Sequence, residues 1–302
     1  MNKHLLFLLS LFLLSISALL FLRSATGTPS LPGREEGVPP SRNCLVTLPA
    51  HVDFAGEPVP LRDQEVFERL DREVHVNTYF HSSTIQLVKL SSRWFPLIEK
   101  ILRQNGIPDD FKYLAAAESG LRNVVSPKGA RGIWQLMPGT AKEYGLIVNS
   151  EVDERYNIEK STGAACQYLK KAYERLGSWT LAAASYNMGM DGIEKEMTRQ
   201  EQKNYYDLLL NSETSRYVFR ILALKTILSD PAKYGFCYDA SDLYEPLQYK
   251  NISIDTAINN LVHFARQQNT SYKMLKYLNP WLRKNTLKEA DKQAFDIKIP
   301  AS

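Results

Sequence analysis

The sequence predicts a mainly α protein, with one helical domain over residues 61–245 and a small α+β module over 246–302. Three observations predict this. Apolar residues recur at three- and four-residue spacing from about 61 to 235. No alternating strand pattern interrupts that region. From about 246 the order changes to strand, helix, helix, strand. The chain is 44% hydrophobic and 23% charged, which excludes a disordered protein.

The elements follow in order. The N-terminus has Lys3 and His4, an apolar run from Leu5 to Leu22, then Arg23. The run has no polar face, exceeds an ordinary signal core and approaches the length that spans a bilayer. Residues 1–25 therefore read as an export signal, cleaved or kept as a membrane anchor. The N-terminal charge keeps that end in the cytoplasm, so the rest works outside the inner compartment. Residues 26–60 hold seven prolines and little periodicity, the texture of a linker or extended arm. FERLDREVHVNTYF and LSSRWFPLIEKILRQNG read as helices, the second stopped by Asn105-Gly106. IPDDFKYLAAAES opens another, with Pro108, Asp109 and Asp110 in its first turn and Ser119-Gly120 at its end.

SPKGARG, 126–132, is rich in turn formers and leaves room for a small β segment. Further helices are expected at MPGTAKEYG, IEKSTGAACQYLKKAYERLG, WTLAAASYNM, QKNYYDLLL and SETSRYVFRILALKTILS. LQYKNISI and AFDIKIP read as strands flanking two short helices, DTAINNLVHFARQQN and SYKMLKYLNP.

Charge and cysteine usage narrow the function classes. A net charge of +4 without a dense Lys/Arg block gives no dedicated nucleic-acid surface. Of three cysteines, Cys166 sits on a helix face, as a buried thiol would. Cys44 and Cys237 are the two that an oxidising compartment could pair. Five scattered histidines and no Cys/His cluster predict no metal site, and no cofactor motif is present.

Glu118 closes an alanine run in AAAESG. A helix C-terminus disfavours a negative charge, and packing among alanines reduces solvation. Both would raise its pKa, as a general acid requires. Taken alone, the stretch reads equally simply as a solvent-exposed helix-end glutamate, and that reading is the commoner one.

Four segments, in order, change this. They are ESG (118–120), SPKGARGIWQLMPGTAKEYGL (126–146), AAASYNMG (182–189) and ETSRYV (213–218). Together they resemble the family 1 lytic transglycosylases, lysozyme-like (goose-type, SLT) enzymes that cut peptidoglycan, and most of all their membrane-bound D type. The resemblance covers about 65–235. It implies that Glu118 is the sole catalytic acid/base and that Ser119 follows it as in the family. It implies that Ser126 orients the glutamate or the substrate acetamido group, and that Gln135 and Met137 line the sugar cleft. Tyr186 and Asn187 would face the carboxyl and the glycan, with Tyr186 bonded to the carboxyl. Glu213 and Tyr217 would support the cleft floor. Asp153 and Arg155 match as an ion pair clasping a loop. Two departures stand out. The Glu118–Ser126 spacing is one residue shorter than in familiar members, and Trp134 replaces methionine, which could alter sugar stacking.

The resemblance implies non-hydrolytic cleavage of the β-1,4 bond between N-acetylmuramic acid and N-acetylglucosamine, leaving 1,6-anhydromuramoyl ends. The partner would be peptidoglycan, in the periplasm of a bacterial envelope. A goose-type lysozyme is the alternative, with Asp191 as the nearest second carboxylate. A catalytically silent glycan-binding scaffold is another. The 246–302 module resembles a degenerate LysM unit in its element order and its LNP. NISIDTA stands where the usual Gly-Asp-Thr-Leu turn would be, so the module either binds glycan or braces the helical domain.

Overall fold

The structure, a computed structural model, describes residues 45–301. The segment read as an export signal or anchor, residues 26–44 of the expected linker, and Cys44 lie outside the described residues. Among the described residues no helix is long and apolar enough to cross a membrane.

The mainly α class is what the chain adopts. A short hairpin, β1 (Asp53–Phe54) and β2 (Glu57–Pro58), precedes α1 (Gln64–Tyr79), α2 (His81–Gln104) and α3 (Phe111–Ser119). A loop leads to α4 (Pro138–Glu143), then α5 (Ile158–Leu176), α6 (Trp179–Met188), α7 (Met190–Gln200) and α8 (Ser212–Ser229). The last module is β3 (Tyr249–Ile254), α9 (Leu261–Gln267), α10 (Tyr272–Leu278) and β4 (Phe295–Pro300).

Local chemistry explains the helix ends. Asp63 caps α1 by accepting from the amides of Glu65 and Val66. Asn105-Gly106 stops α2 as expected, with Gly106 at φ 69°. The helix carrying Glu118 begins at Phe111, three residues later than Pro108 suggests. Asp110 instead turns its carboxylate to the Ala55 amide (2.7 Å) and Lys225 Nζ (2.7 Å).

α8 lies at the centre. Tyr217, Val218, Phe219, Ile221, Leu222, Ala223 and Leu224 are all buried, so the helix is covered on nearly every side. α1, α3 and α6 pack around it. The alanine runs explain the close fit: Ala115, Ala116, Ala182, Ala183 and Ala184 are buried, and interaxial distance follows side-chain size.

Two stretches differ from expectation. QKNYYDLLL forms only a single 3₁₀ turn, Tyr205–Asp207. Tyr205 donates to the Thr214 and Ser215 carbonyls, and both tyrosine rings pack on Phe219, so the segment is shaped by α8. α7 was not foreseen: Ile193 is its only fully buried residue, with Met190 and Met197 partly buried on the same face, a stripe of three in a short polar segment.

The linker expected over 26–60 is not one from Val46 onward. Leu48, Phe54 and Val59 belong to the main core, and Phe54 meets Phe111 edge-on at 5.1 Å. Ala55 and Gly56 both have positive φ (54° and 81°), as a two-residue hairpin turn demands. Glu57 then caps α6. Its carboxylate accepts from the amides of Trp179 (2.6 Å) and Thr180 (2.9 Å) and the hydroxyls of Ser178 (2.8 Å) and Thr180 (2.6 Å). A negative charge there complements the helix dipole. Two-residue strands produce no periodicity, so prolines dominated the sequence pattern.

The final module has its expected order. β3 and β4 pair antiparallel from Tyr249↔Pro300 to Ile254↔Phe295. Its core includes Leu261, Leu275, Trp281, Leu282 and Ile297, and also Val152 and Tyr156 from the helical domain. Glu151 fastens this junction. Its buried carboxylate accepts from the Thr286 hydroxyl and the amides of Lys288 (2.9 Å) and Glu289 (3.1 Å). The Asp153 amide donates to the Trp281 carbonyl, and the Arg283 amide to the Glu151 carbonyl. Burial opposes ionisation of Glu151, but Thr286, the two amides and nearby Lys284 outweigh it and hold its pKa below the usual value.

Two predictions follow from these caps. Glu57→Ala should cost about 2 kcal/mol, read as a Tm lower by roughly 4–8 °C in thermal unfolding. Glu151→Ala should speed hydrogen exchange over 147–156 and 281–289 together, leaving α8 protected. Because the folded pKa of Glu151 is depressed, its contribution is present above the unfolded value of about 4.3 and lost as pH falls through the folded one. Exchange in these segments should therefore accelerate in acid in the wild type, and Glu151→Gln should remove that step.

Candidate active site

Glu118 sits in the last turn of α3, and Gly120 ends the helix in the left-handed conformation at φ 61°. The residue is half-buried. Desolvation by burial pushes its pKa up, and the Glu213 carboxylate adds to this; the Tyr217 hydroxyl and the Arg220 charge oppose it, and the net direction is upward. The Tyr217 hydroxyl donates to Glu118 Oε1. Burial and the neighbouring Glu118 raise the Tyr217 pKa far above its ordinary value, so this hydroxyl keeps its proton as a donor. Arg220 lies over the Tyr217 ring at 5.6 Å. A cavity of about 310 Å³ opens here, lined by Glu73, Ser212, Glu213, Arg216, Tyr217 and Arg220. Arg216 is fixed by Glu73, with both its Nε and Nη2 at 2.8 Å from Oε1.

The hydroxyl expected on the carboxyl was that of Tyr186. It donates instead to the Trp134 carbonyl at 2.8 Å. α8 brings Tyr217 to the carboxyl because Tyr217 sits on the α8 face that packs on α3. Asn187 and Glu213 do meet: Asn187 Nδ2 donates to Glu213 Oε1 at 3.1 Å, and Asn187 Oδ1 accepts from Thr214 Oγ1 at 2.8 Å. Ser119 is buried and its hydroxyl donates back to the Ala115 carbonyl at 3.2 Å. Ser126 Oγ accepts from the Ala130 amide at 3.0 Å, closing its own turn. Trp134 is fully buried and donates to Thr162 Oγ1 at 2.8 Å, so it has no face for a sugar. Asp191 is 91% exposed and pairs with Arg175 on the outer surface, far from the role of a second acid beside Glu118.

The loop between α3 and α4 is built as one piece. Isolated bridges Val125↔Arg131 and Arg131↔Leu136 are the small β segment. Gly132 has φ 83°, and a Cβ there would lie 1.9 Å from the Arg155 carbonyl oxygen, so only glycine fits. Gln135 adopts φ 47° and its Nε2 donates to the Gly132 and Val124 carbonyls at 2.7 and 3.1 Å. Its amide group thus shapes the loop. Met137 is 42% exposed and precedes Pro138, the first residue of α4. The expected Asp153–Arg155 clasp is present. Arg155 Nε and Nη2 each reach Asp153 at 2.8 Å, while Nη1 donates to the carbonyls of Gly129 (3.0 Å) and Leu136 (3.1 Å).

The sequence reading missed the direct Tyr217 contact, Arg220 and the Arg216–Glu73 pair. A signal existed for the first: Tyr217 lies in SETSRYV, one helical turn after Glu213. Cys166 is buried as expected, and burial pushes its thiol up to about 12, which leaves it protonated.

The chain resembles known proteins over two of its regions. Residues 96–209 match the transglycosylase SLT domain, and 250–302 match the soluble lytic transglycosylase C-terminal LysM-like domain. Membrane-bound lytic murein transglycosylase D of Escherichia coli strain K12 is 27% identical over 237 residues, covering 76% of this chain and 50% of that protein. A putative tributyltin chloride resistance protein of Alteromonas sp. strain M-1 is 26% identical over 109 residues, covering 35% of this chain and 52% of that protein. The chain spans about half the length of the curated relatives it matches. The crystal structure of the 70 kDa soluble lytic transglycosylase SLT70 from Escherichia coli aligns with a TM-score of 0.41 at 20% identity, over 59% of this chain and 33% of that one. The chain carries a transglycosylase SLT domain followed by a LysM-like C-terminal domain, and it is homologous to membrane-bound lytic murein transglycosylase D.

Proposed function

We propose that this protein is a peptidoglycan lytic transglycosylase of the bacterial cell envelope. The observation that supports this most is the Glu118 carboxyl, desolvated and held by the Tyr217 hydroxyl, while the neighbouring carboxylates are engaged elsewhere, Glu213 by Asn187 and Glu73 by Arg216. Hydrolytic glycosidases ordinarily use two carboxylates. One is sufficient when the substrate supplies its own nucleophile.

Glu118 starts neutral. Tyr217 occupies Oε1, which leaves Oε2 to carry the acidic proton. That proton goes to the β-1,4 glycosidic oxygen, and the bond to C1 of the muramoyl sugar breaks. The acetamido oxygen of that sugar stabilises the positive charge at C1. Glu118 is now a carboxylate, stabilised by the Tyr217 hydrogen bond and Arg220. It takes the proton from the C6 hydroxyl of the same sugar, and that oxygen closes a 1,6-anhydro ring on C1. No water is consumed, and Glu118 is neutral again. A group that acts first as acid and then as base works best with a pKa near the working pH, and burial shifts Glu118 in that direction.

Asn187 and Glu213 form one wall, and Met137 remains exposed for a sugar face. Ser119, Ser126 and Gln135 act through the backbone they hold rather than by their own polar atoms. The name of the homologue supports an envelope location.

Two experiments test this. Glu118→Gln should lower turnover of purified sacculi by about 10³-fold or more while thermal unfolding stays cooperative. In the wild type, mass spectrometry should find products ending in 1,6-anhydromuramic acid. Reducing ends instead would mean hydrolysis, and substantial activity in Glu118→Gln would remove the assignment. The second is a pH profile. Activity requires neutral Glu118, so kcat/KM falls as pH rises through its raised pKa. Tyr217→Phe removes a lowering influence, so the alkaline limb should move to higher pH, with kcat reduced about tenfold. Glu213→Gln removes a raising influence, so the limb should move to lower pH.

A further inference from the structure

A second cavity, of about 620 Å³, lies where the LysM-like module meets the helical domain. It is formed by α2, the turn after α3, and the module's β3 and α10, and it shares no lining residue with the Tyr217 cavity. Its volume is ordinary for a small-ligand site. Five aromatic rings, Trp94, Tyr156, Tyr249, Tyr277 and Trp281, contribute to its walls. The charge of the lining is one-sided: Arg93, Arg122 and Lys298 are present, and no aspartate or glutamate.

These cations are not equally occupied. Lys298 pairs with Glu159, which sits behind the wall and also accepts from the Tyr249 hydroxyl. Arg93 donates to the Glu245 carbonyl (3.0 Å) and the Tyr277 hydroxyl (3.2 Å), neutral partners that leave its charge uncompensated. The Arg122 guanidinium has no hydrogen-bond or ion-pair partner among the described residues. Trp281 is 2% exposed and its indole Nε1 is also without a partner. Buried donors ordinarily have one, so this is an open valence in the wall.

The cavity also touches the catalytic element. Leu121, Arg122 and Asn123 line it, and they directly follow Gly120, the cap of the helix that presents Glu118. The Arg122 guanidinium folds back over that cap: a Cβ on Gly120 would lie 3.6 Å from its Nε.

We propose that this cavity binds the peptide branch of the wall polymer, a short peptide bearing free carboxylates, while the glycan backbone passes Glu118. The proposal rests on the reading of the chain as a peptidoglycan enzyme. The choice of occupant follows from charge. Where a peptide is attached, the lactyl carboxyl of the muramic acid is tied up as an amide and the sugars are neutral, so the free carboxylates hang from the peptide branches. A lining with an excess of guanidinium and ammonium groups selects the branch. The aromatic and aliphatic walls take its apolar side chains, and Trp281 Nε1 is a donor for a peptide carbonyl. Wall fragments carrying a peptide would therefore be preferred over bare strands.

Calorimetric titration of the full-length Glu118→Gln protein tests this, because that variant binds without cutting. The probes are the N-acetylglucosaminyl–N-acetylmuramic acid disaccharide with its tetrapeptide, the same disaccharide without peptide and with its lactyl carboxyl amidated, and the tetrapeptide form with its carboxylates amidated. The peptide form should bind at least tenfold more tightly than the other two. Adding Arg122→Glu should abolish that preference, and Tyr277→Ala should weaken it; both residues are exposed enough for the fold to survive. Equal binding of all three probes would overturn the proposal, as would a preference that survives Arg122→Glu. Tighter binding of the peptide-free disaccharide, lost in Arg122→Glu, would make the cavity a sugar site and overturn it too. Wild-type cleavage of peptide-free glycan strands is read separately. Those strands carry no peptide branch, so their failure to yield 1,6-anhydro ends counts against the enzyme reading and not against the branch site.

Discussion

The close approach of α3 and α8 is the constraint on which the site depends. A carboxyl acts as a general acid near neutral pH only if water is kept from it, and an unpartnered buried carboxyl is costly. Small side chains on α3 let α8 come near enough to satisfy both demands. Burial raises the Glu118 pKa, and Tyr217 gives the carboxyl one fixed hydrogen bond. The alanines before Glu118 thus set the surroundings of its carboxyl. A larger residue at Ala115 or Ala116 would push α8 away and take Tyr217 with it.

A second chain of contacts runs from the LysM-like module to the loop beside the site. Glu151 binds the 286–289 backbone, the next residues form the 151–155 segment, and Arg155 reaches the Gly129 and Leu136 carbonyls. A buried ion pair such as Arg155–Asp153 is expensive to desolvate and contributes when its remaining donors are satisfied. Here Arg155 Nη1 is satisfied by two loop carbonyls, so the pair serves to fix the loop. The module is therefore tied to the helical domain, and the cavity at their junction exists because that docking is in place.

Much of the architecture was legible because it is periodic. α1, α2, α5 and α8 announce themselves by apolar spacing, and the module by its order of strands and helices. Glu118 was legible only through four segments in sequence. Short elements were not: the 53–58 hairpin is too brief to alternate, and the stripe of α7 is only Met190, Ile193 and Met197 among charged residues. Tyr186 and Tyr217 show why partners are hard to assign. Both are tyrosines on helices near the site, and nothing in their spacing says which hydroxyl reaches the carboxyl.

By itself the sequence determined the helical class, the module and the glycines that permit the loop, because each is a local property of residue type and spacing, and it singled out Glu118 as the candidate acid. The tertiary structure alone decided that Tyr217 holds Glu118, that Trp134 is core, that residues 46–60 cap α6, and that two domains enclose a cationic cavity. These depend on distances between segments as far apart as residues 57 and 178 or 122 and 281. Such distances are set by packing of the whole core, which no local pattern encodes.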